Sequence, residues 1–214
     1  MESPFRHADL TAPDLYLIET LGWDGCVFAR LPLHLDRLAR SAQLFGWPCE
    51  DAAGLAAALR AAAPPGAARM RLTLDARGMI AVQSAPLPPS PAIWRLGLAK
   101  GRLASDDPWL GVKSSHRVAY DAARATLPQG WDEAIFCNER DEVCDGSITT
   151  LFFDRGTGLC TPPLTSGLLP GVLRAQMLAS GAVREAVLHA QDLPRVRLWL
   201  GNSLRGLMSA VWLG

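Results

Sequence analysis

Only two residues of this 214-residue chain carry a side-chain primary amine, Lys100 and Lys113, against 19 arginines. Codon bias toward Arg and Ala accounts for the imbalance, yet it narrows any amine chemistry to two candidates. Lys113 follows the apolar run Trp109-Leu-Gly-Val112 and precedes Ser-Ser-His-Arg117. Lodged in an apolar pocket beside Arg117, it would have its charged form disfavoured, and a neutral amine attacks carbonyl carbon. A solvated surface lysine is the commoner outcome of such a sequence, so spacing alone leaves both readings open. Asp145 stands after Val143-Cys144, next to Gly146 and before the apolar strand Ile148–Phe153. An acid at the inner edge of a strand could hold a cationic nitrogen; it could equally cap a turn. The charges at 139–142 read as a hairpin tip. In Thr161-Pro-Pro-Leu-Thr-Ser-Gly-Leu-Leu-Pro-Gly171-Val-Leu-Arg174, a glycine-rich turn runs into a helix. Such a junction exposes unpaired backbone N–H groups and a positive dipole end, which suits a phosphate, although a plain loop-to-helix junction is commoner.

Each signal is weak alone. Together they supply, in chain order, an amine, an acid and an anion cradle. Those are three parts a pyridoxal phosphate enzyme needs: a lysine for the aldehyde, a partner for the pyridinium nitrogen and a phosphate site.

These residues need elements to position them. The densest proline stretch, Pro86-Leu-Pro-Pro-Ser-Pro91, excludes helix and favours an extended connection. It divides the chain into an N-terminal α+β domain, 1–88, and a strand-rich C-terminal domain, 89–214. In the first, Tyr16–Leu21 reads as a strand, followed by a turn at Trp23-Asp-Gly25 and a short strand at Cys26–Ala29. Leu31, Leu35, Leu38, Ala42 and Phe45 then share one helical face, with Pro32 in the first turn and Gly46 as the stop. His34, Arg37 and Ser41 lie together on a neighbouring face. A second helix spans Ala52–Ala63, and Arg69–Leu74 with Met79–Gln83 reads as a hairpin. In the second domain, strands are expected at Ile93–Lys100, Glu133–Asn138, Glu142–Cys144, Ile148–Asp154, Leu159–Thr161, Val183–Leu188 and Arg197–Leu200. Helices are expected at Ser115–Ala125 and Gly171–Ala179. The fold class is α+β in two domains.

Composition excludes several alternatives. With 49% apolar residues the chain buries a core and is not disordered. The 21 basic and 21 acidic residues cancel, so no global charge draws it to nucleic acid or an anionic membrane. Met1–Leu10 lacks the basic head and apolar stretch of a signal peptide. The uncharged run Gly156–Leu173 is interrupted, through Arg-free but proline-broken sequence at Pro162, Pro163 and Pro170, and does not read as a membrane span. Five scattered cysteines without a CxxC pair read as reduced thiols of a cytoplasmic protein, and four histidines show no zinc-ligand spacing, so no metal is expected.

Several stretches resemble the fold-type IV pyridoxal phosphate enzymes, or class IV aminotransferases, which include branched-chain and D-amino acid aminotransferases and 4-amino-4-deoxychorismate lyase. They are Leu17-Ile-Glu-Thr20 with Asp24-Gly25, His34-Leu-Asp-Arg37 with Ser41-Ala42, and Lys113-Ser-Ser-His-Arg117 with Tyr120-Asp-Ala-Ala-Arg124. Glu133-Ala-Ile, Asn138-Glu-Arg, Glu142-Val and Asp145-Gly-Ser-Ile148 follow, then Leu168-Leu-Pro-Gly-Val-Leu-Arg174 and Asn202-Ser-Leu-Arg-Gly206. The matches are collinear from 17 to 206. The resemblance implies that Lys113 condenses with the cofactor aldehyde and shuttles protons, and that Asp145 pairs with the pyridine nitrogen. It implies that Arg37 and the amides of Val172 and Leu173 hold the phosphate, with Thr149, Ser203 and Leu204 near the cofactor. Arg117 or Arg205 would hold a substrate carboxylate. The cofactor is expected between the domains of a homodimer acting on a small molecule.

Lys-x-x-His-Arg and Asn-Ser-Leu-Arg-Gly resemble the lyase branch, whose reaction turns 4-amino-4-deoxychorismate into 4-aminobenzoate and pyruvate. Transamination of branched-chain or D-amino acids is the alternative, and a degenerate, non-catalytic member a second one. Departures from the family pattern are Asp145 for its usual glutamate, Thr150 for its usual asparagine, and a short segment before Tyr16.

Overall fold

A computed structural model describes residues 4–214. Contacts group residues up to Pro89 with Val112–His116 into one unit, and Ser90–Gly111 with Arg117–Gly214 into another. The Lys113 segment therefore packs with the N-terminal part, although it follows the proline-rich stretch in sequence.

In the first unit, a single turn of helix, α1 (His7–Leu10), precedes β1 (Tyr16–Trp23). Helices α2 (Leu31–Phe45) and α3 (Ala52–Ala61) follow, and then β2 (Ala68–Asp75) and β3 (Ile80–Ala85). The strands form an antiparallel sheet in the order β1-β2-β3. Alternation in β2 decides which face is covered: Ala68, Met70, Leu72 and Leu74 are buried. On α2 the predicted face is the buried one, with Leu35, Leu38, Ala42 and Phe45 inside. Each such aliphatic side chain contributes roughly 1.5–3 kcal/mol on leaving water. Pro32 lies in the first turn of α2, and Gly46 ends it in the left-handed region at φ +69°. Asp51 caps α3 by accepting from the Gly54 amide at 2.8 Å.

Cys26–Ala29 is not a strand. Asp24 accepts from the amides of Cys26 and Val27 at 2.8 and 2.7 Å, which folds the segment into a side-chain-capped turn. Only one isolated bridge, Trp23 to Phe28, is made there.

The second unit carries β4 (Trp94–Leu103), α4 (Val118–Ala125), β5 (Glu133–Asn138), β6 (Val143–Gly146), β7 (Thr150–Asp154) and β8 (Leu159–Thr161). Then come α5 (Val172–Ala179), β9 (Arg184–Glu185), β10 (Arg197–Asn202) and β11 (Gly206–Trp212). The eight strands form one mixed sheet in the order β6-β5-β4-β11-β10-β7-β8-β9. Every residue of β5 is buried, the mark of a strand covered on both faces. Leu96, Ile135, Leu151, Phe153 and Leu200 belong to one core cluster, and Leu103, Leu110, Phe136, Cys144 and Leu168 to another.

Three expectations change here. α4 starts at Val118 rather than Ser115, because Ser114 bridges Leu17 and the Ser115 amide is taken by the Tyr16 carbonyl of β1. The stretch 183–188 forms a ladder only at Arg184–Glu185; Val183 and Leu188 are buried beside it without extending the strand. β11, which the sequence reading leaves as unassigned tail, lies inside the sheet, parallel to β4 and antiparallel to β10. The fold is the mixed, strand-rich α+β architecture anticipated. Among the described residues, no helix is long and apolar enough to cross a membrane.

Candidate active site

The first unit holds Lys113 by its backbone. The Lys113 carbonyl accepts from the Ile18 amide at 2.9 Å, and the Ser115 amide donates to the Tyr16 carbonyl at 2.9 Å. Ser114 bridges Leu17 in antiparallel register. The Ser115 hydroxyl accepts from the Tyr16 amide at 3.1 Å and donates to the Asp14 carbonyl at 2.8 Å. The segment is thus fastened by an isolated antiparallel bridge to the edge of β1 that β2 leaves open. Lys113 is half-buried.

One residue beyond Ile18 lies Glu19, fully buried on β1. Its Oε2 is 2.6 Å from His34 Nδ1 and accepts from Arg37 Nη2 at 2.6 Å, while Oε1 accepts from Arg37 Nε at 2.8 Å. His34 and Arg37 are one turn apart on α2 and so reach the same carboxylate. Burial alone would raise the Glu19 pKa. The Arg37 charge and the hydrogen bonds from His34 and Arg37 outweigh it and bring the carboxyl down to about 2. A carboxylate can only accept, so His34 carries its proton on Nδ1. Burial lowers the His34 pKa, Glu19 opposes that, and the charges of Arg37 and Lys113 add to it. The Nε–Nη2 edge of Arg37 is taken by Glu19.

In the second unit Asp145 is 5% exposed, on β6. Burial and then the Asp145 charge push the Tyr120 phenol well above its ordinary range. Directly after Asp145, the Gly146 amide donates to the Thr149 carbonyl at 2.7 Å and closes a tight turn. A Cβ on Gly146 would overlap the Thr149 hydroxyl, so the turn requires glycine. Glu133, completely buried at the start of β5, gathers this turn. It accepts from the amides of Ser147 and Ile148 at 3.1 and 3.2 Å, from the Thr149 hydroxyl at 2.9 Å and from the Ser147 hydroxyl. Arg124 reaches Glu133 at 3.4 Å and the Ser147 hydroxyl at 3.0 Å.

Arg117 lies at the start of α4. Its Nε donates to Asp121 at 2.6 Å, its Nη2 to the Ser147 carbonyl at 2.9 Å, and its guanidinium is 5.7 Å from the Tyr120 ring centre. These contacts make it a tie between α4 and the Asp145 turn. Arg205 instead lies 5.4 Å over the Trp94 ring.

The loop into α5 is tied at both ends. The Thr161 hydroxyl donates to the Leu151 carbonyl at 2.9 Å. Arg174, in the first turn of α5, donates to the Pro162 carbonyl at 2.9 Å and pairs with Glu185. Gly171 is the N-cap and supplies no side-chain acceptor, and the first-turn amides of a helix have no partner within it. Val172 and Leu173 are buried. A Cβ on Gly171 would stand 2.8 Å from the Thr150 hydroxyl oxygen. Between β10 and β11, Asn202 Oδ1 accepts from the amides of Leu204 and Arg205 at 3.1 and 2.9 Å, and Nδ2 donates to the Ile148 carbonyl at 3.2 Å. Asn202 thereby joins the turn holding Ser203 and Leu204 to the segment leading into Thr149.

Taken unit by unit, these donors suit pyridoxal phosphate: an amine on a clamped backbone in the first, and a buried carboxylate plus an uncapped helix N-terminus in the second. Glu19, Glu133 and Asn202 lie within the sequence motifs, where spacing alone assigns them no role. The signal for the two glutamates is a carboxylate within an apolar strand sequence, which must find donors if buried.

This mixed, strand-rich α+β fold is the architecture of the cofactor-dependent enzymes of the class IV type. The chain belongs to the amino-transferase class IV family, which it matches over residues 16–211. A Schizosaccharomyces pombe protein provisionally named aminodeoxychorismate lyase is 30% identical over 177 residues, 79% of this chain and 75% of its own length. A Mesorhizobium loti crystal structure, provisionally an amino-acid aminotransferase, is 41% identical with a TM-score of 0.88, covering 94% of this chain and 100% of the other. The 4-amino-4-deoxychorismate lyase of Pseudomonas aeruginosa is 25% identical with a TM-score of 0.79, covering 92% and 83%. The chain is accordingly a pyridoxal phosphate-dependent enzyme of small-molecule metabolism.

Proposed function

We propose that the enzyme is a lyase that converts 4-amino-4-deoxychorismate into 4-aminobenzoate and pyruvate. The observation that carries this reading is the Asn202–Gly206 turn. It has the lyase-like sequence Asn-Ser-Leu-Arg-Gly, and Asn202 fastens it to the Ile148 carbonyl beside the Asp145 turn. The S. pombe and P. aeruginosa relatives support it.

In this reading Lys113 would be the condensing amine, and its Nζ would take the one proton from the amine-bearing carbon as the neighbouring C–O bond breaks, and return a proton to the departing enolpyruvate, which leaves as pyruvate. Bound pyridoxal phosphate supplies the electron sink for that bond breaking. Asp145 would pair with the ring nitrogen and favour its protonated form. Arg37 and the amides of Val172 and Leu173 take the phosphate, and Thr149, Ser203 and Leu204 border the cofactor. Arg117, which also donates to Asp121 and the Ser147 carbonyl, or Arg205 takes the substrate carboxylate. We further propose a cytoplasmic homodimer, to be checked by light scattering.

The test is incubation of the cofactor-loaded protein with aminodeoxychorismate, followed by assay of pyruvate and 4-aminobenzoate, with Lys113→Ala as control. Both products should form with the wild type alone. No product, together with amino-group exchange between alanine or a branched-chain amino acid and a 2-oxo acid, would replace the lyase by an aminotransferase. That second reading is favoured by the 41% identity to the M. loti protein.

A further inference from the structure

The carboxylate assigned to the ring nitrogen, Asp145, is one methylene shorter than the glutamate of the family pattern. A side chain with two torsions has less reach and fewer rotamers than one with three. Where its oxygens lie is set mainly by where the backbone puts Cα. The backbone after Asp145 is set in turn by one residue of the neighbouring strand β5.

That residue is Glu133. Two of its acceptors are directed at one three-residue stretch. Oε1 takes the Ser147 amide at 3.1 Å and the Ser147 hydroxyl; Oε2 takes the Ile148 amide at 3.2 Å and the Thr149 hydroxyl at 2.9 Å. The Ala134 amide, at 3.1 Å, adds to Oε1. Register closes the other side: Ile135 of β5 pairs with Gly146 of β6, and the Gly146 amide meets the Thr149 carbonyl at 2.7 Å. Two arginines from the α4 region converge on the same residue, Arg124 on the Ser147 hydroxyl and Arg117 on the Ser147 carbonyl. A fold that needed only to fill this space would do as well with an apolar side chain, since burying an ion is costly and is often neutral or worse for stability. A buried carboxylate that organises three consecutive residues specifies a geometry instead.

We propose that Glu133 is a positioning residue: by holding residues 147–149 it fixes the Gly146–Thr149 turn and, through it, the place of the Asp145 carboxylate. This rests on the reading of Asp145 as the ring-nitrogen partner.

The experiment is a double-mutant cycle on pyridoxal phosphate binding, using Glu133→Gln, Asp145→Asn and the pair. Affinity is read by titrating the cofactor-free protein with pyridoxal phosphate, and the ring's state by the absorption maximum of the bound cofactor. Glu133→Gln keeps the shape but turns an amide toward donors. It should weaken binding about tenfold and move the absorption maximum in the same direction as Asp145→Asn. The pair should be no worse than Asp145→Asn alone, because both act on one contact. Melting of the cofactor-free protein supplies the control. A lower melting temperature with unchanged absorption maximum, or effects on binding that simply add, would make Glu133 structural and overturn the proposal. Should Glu133→Gln not fold, Ser147→Ala, which deletes one donor to Glu133 and leaves the carboxylate, takes its place with the same expected shift and the same overturning result. A wild type that binds no pyridoxal phosphate would bring down the functional reading itself. A wild type that binds it while the variants leave affinity and spectrum unmoved would remove only the role of Glu133.

Discussion

Glu19 on β1 and His34 on α2 meet at 2.6 Å, carboxylate oxygen to Nδ1, with Arg37 closing on the other oxygen. Three ionisable groups thus share one buried locus next to the strand edge that holds the Lys113 backbone. The arrangement makes acid sensitivity a built-in property of the first unit.

Its direction follows from the two pKa values. Glu19 lies at about 2 in the fold against an ordinary 4.5. Below 4.5 the unfolded chain takes up a proton that the fold refuses until near 2. Its stabilisation, roughly 3 kcal/mol, is therefore complete above 4.5 and lost as pH falls from 4.5 to 2. His34, lowered from 6.5 by burial first, starts an earlier loss, because the unfolded chain protonates it first as pH drops below 6.5. Urea unfolding between pH 7 and 3 should show stability declining throughout. In Glu19→Gln the protein should be less stable at pH 7, and the portion of the decline below 4.5 should flatten.

Lys113 is the only half-buried candidate amine, Lys100 being exposed. Borohydride treatment of the cofactor-loaded protein should fix one cofactor per chain on Lys113, identified by peptide mass. Lys113→Ala should show no such adduct and retain less than about a thousandth of the wild-type turnover, as expected when a covalent catalyst is removed. Label on Lys100 would refute the assignment.

Gly171 offers a test of the phosphate loop. A methyl there would stand 2.8 Å from the hydroxyl oxygen of Thr150, a β-branched residue with little freedom to move aside. Gly171→Ala should therefore weaken pyridoxal phosphate binding and destabilise the protein by about 1–3 kcal/mol. Adding Thr150→Ala should recover part of both. If the pair binds no better than Gly171→Ala, the overlap is not what matters.

Lengthening the acid is the complementary change. Asp145→Glu restores the family's usual side chain but places an extra methylene in a nearly closed site, where overpacking costs about 1–3 kcal/mol. We expect a lower melting temperature with the absorption of bound cofactor retained. Asp145→Asn should keep the melting temperature and lose about a hundredfold in turnover, because the charge facing the ring is gone. A reversal of that pattern would argue against Asp145 as the ring partner.

Much of the fold was legible where one periodicity dominated. The α2 face from Leu35 to Phe45 and the alternation of β2 are examples, since burial of one face enforces them. Local pattern misleads where side chains override it. Asp24 captures two amides and reduces the expected Cys26–Ala29 strand to a single bridge, Trp23 to Phe28. β11 was missed because Gly206-Leu-Met-Ser-Ala-Val-Trp212 alternates only partly, and its place in the sheet is decided by distant partners in β4 and β10. Within the site, the motif residues could be named from the chain. The work of Glu133 could not, because its partners lie 14 to 16 positions away and are chosen by strand register rather than by spacing.

The strip at residues 113–115 has a consequence for how the protein is made. Tyr16 and Ser115, joined by a hydrogen bond, are 99 positions apart. As a nascent chain leaves the ribosome, β1 emerges long before the stretch that will cover its outer side. Until then that side presents unsatisfied amides and carbonyls, the kind of template on which chains stick to one another. Closure also needs a long-range encounter, which slows the final step. The same strip that steadies the reactive amine thus sets a time window in which the polypeptide is vulnerable to aggregation, and holdase chaperones or slower temperatures of expression should raise its yield.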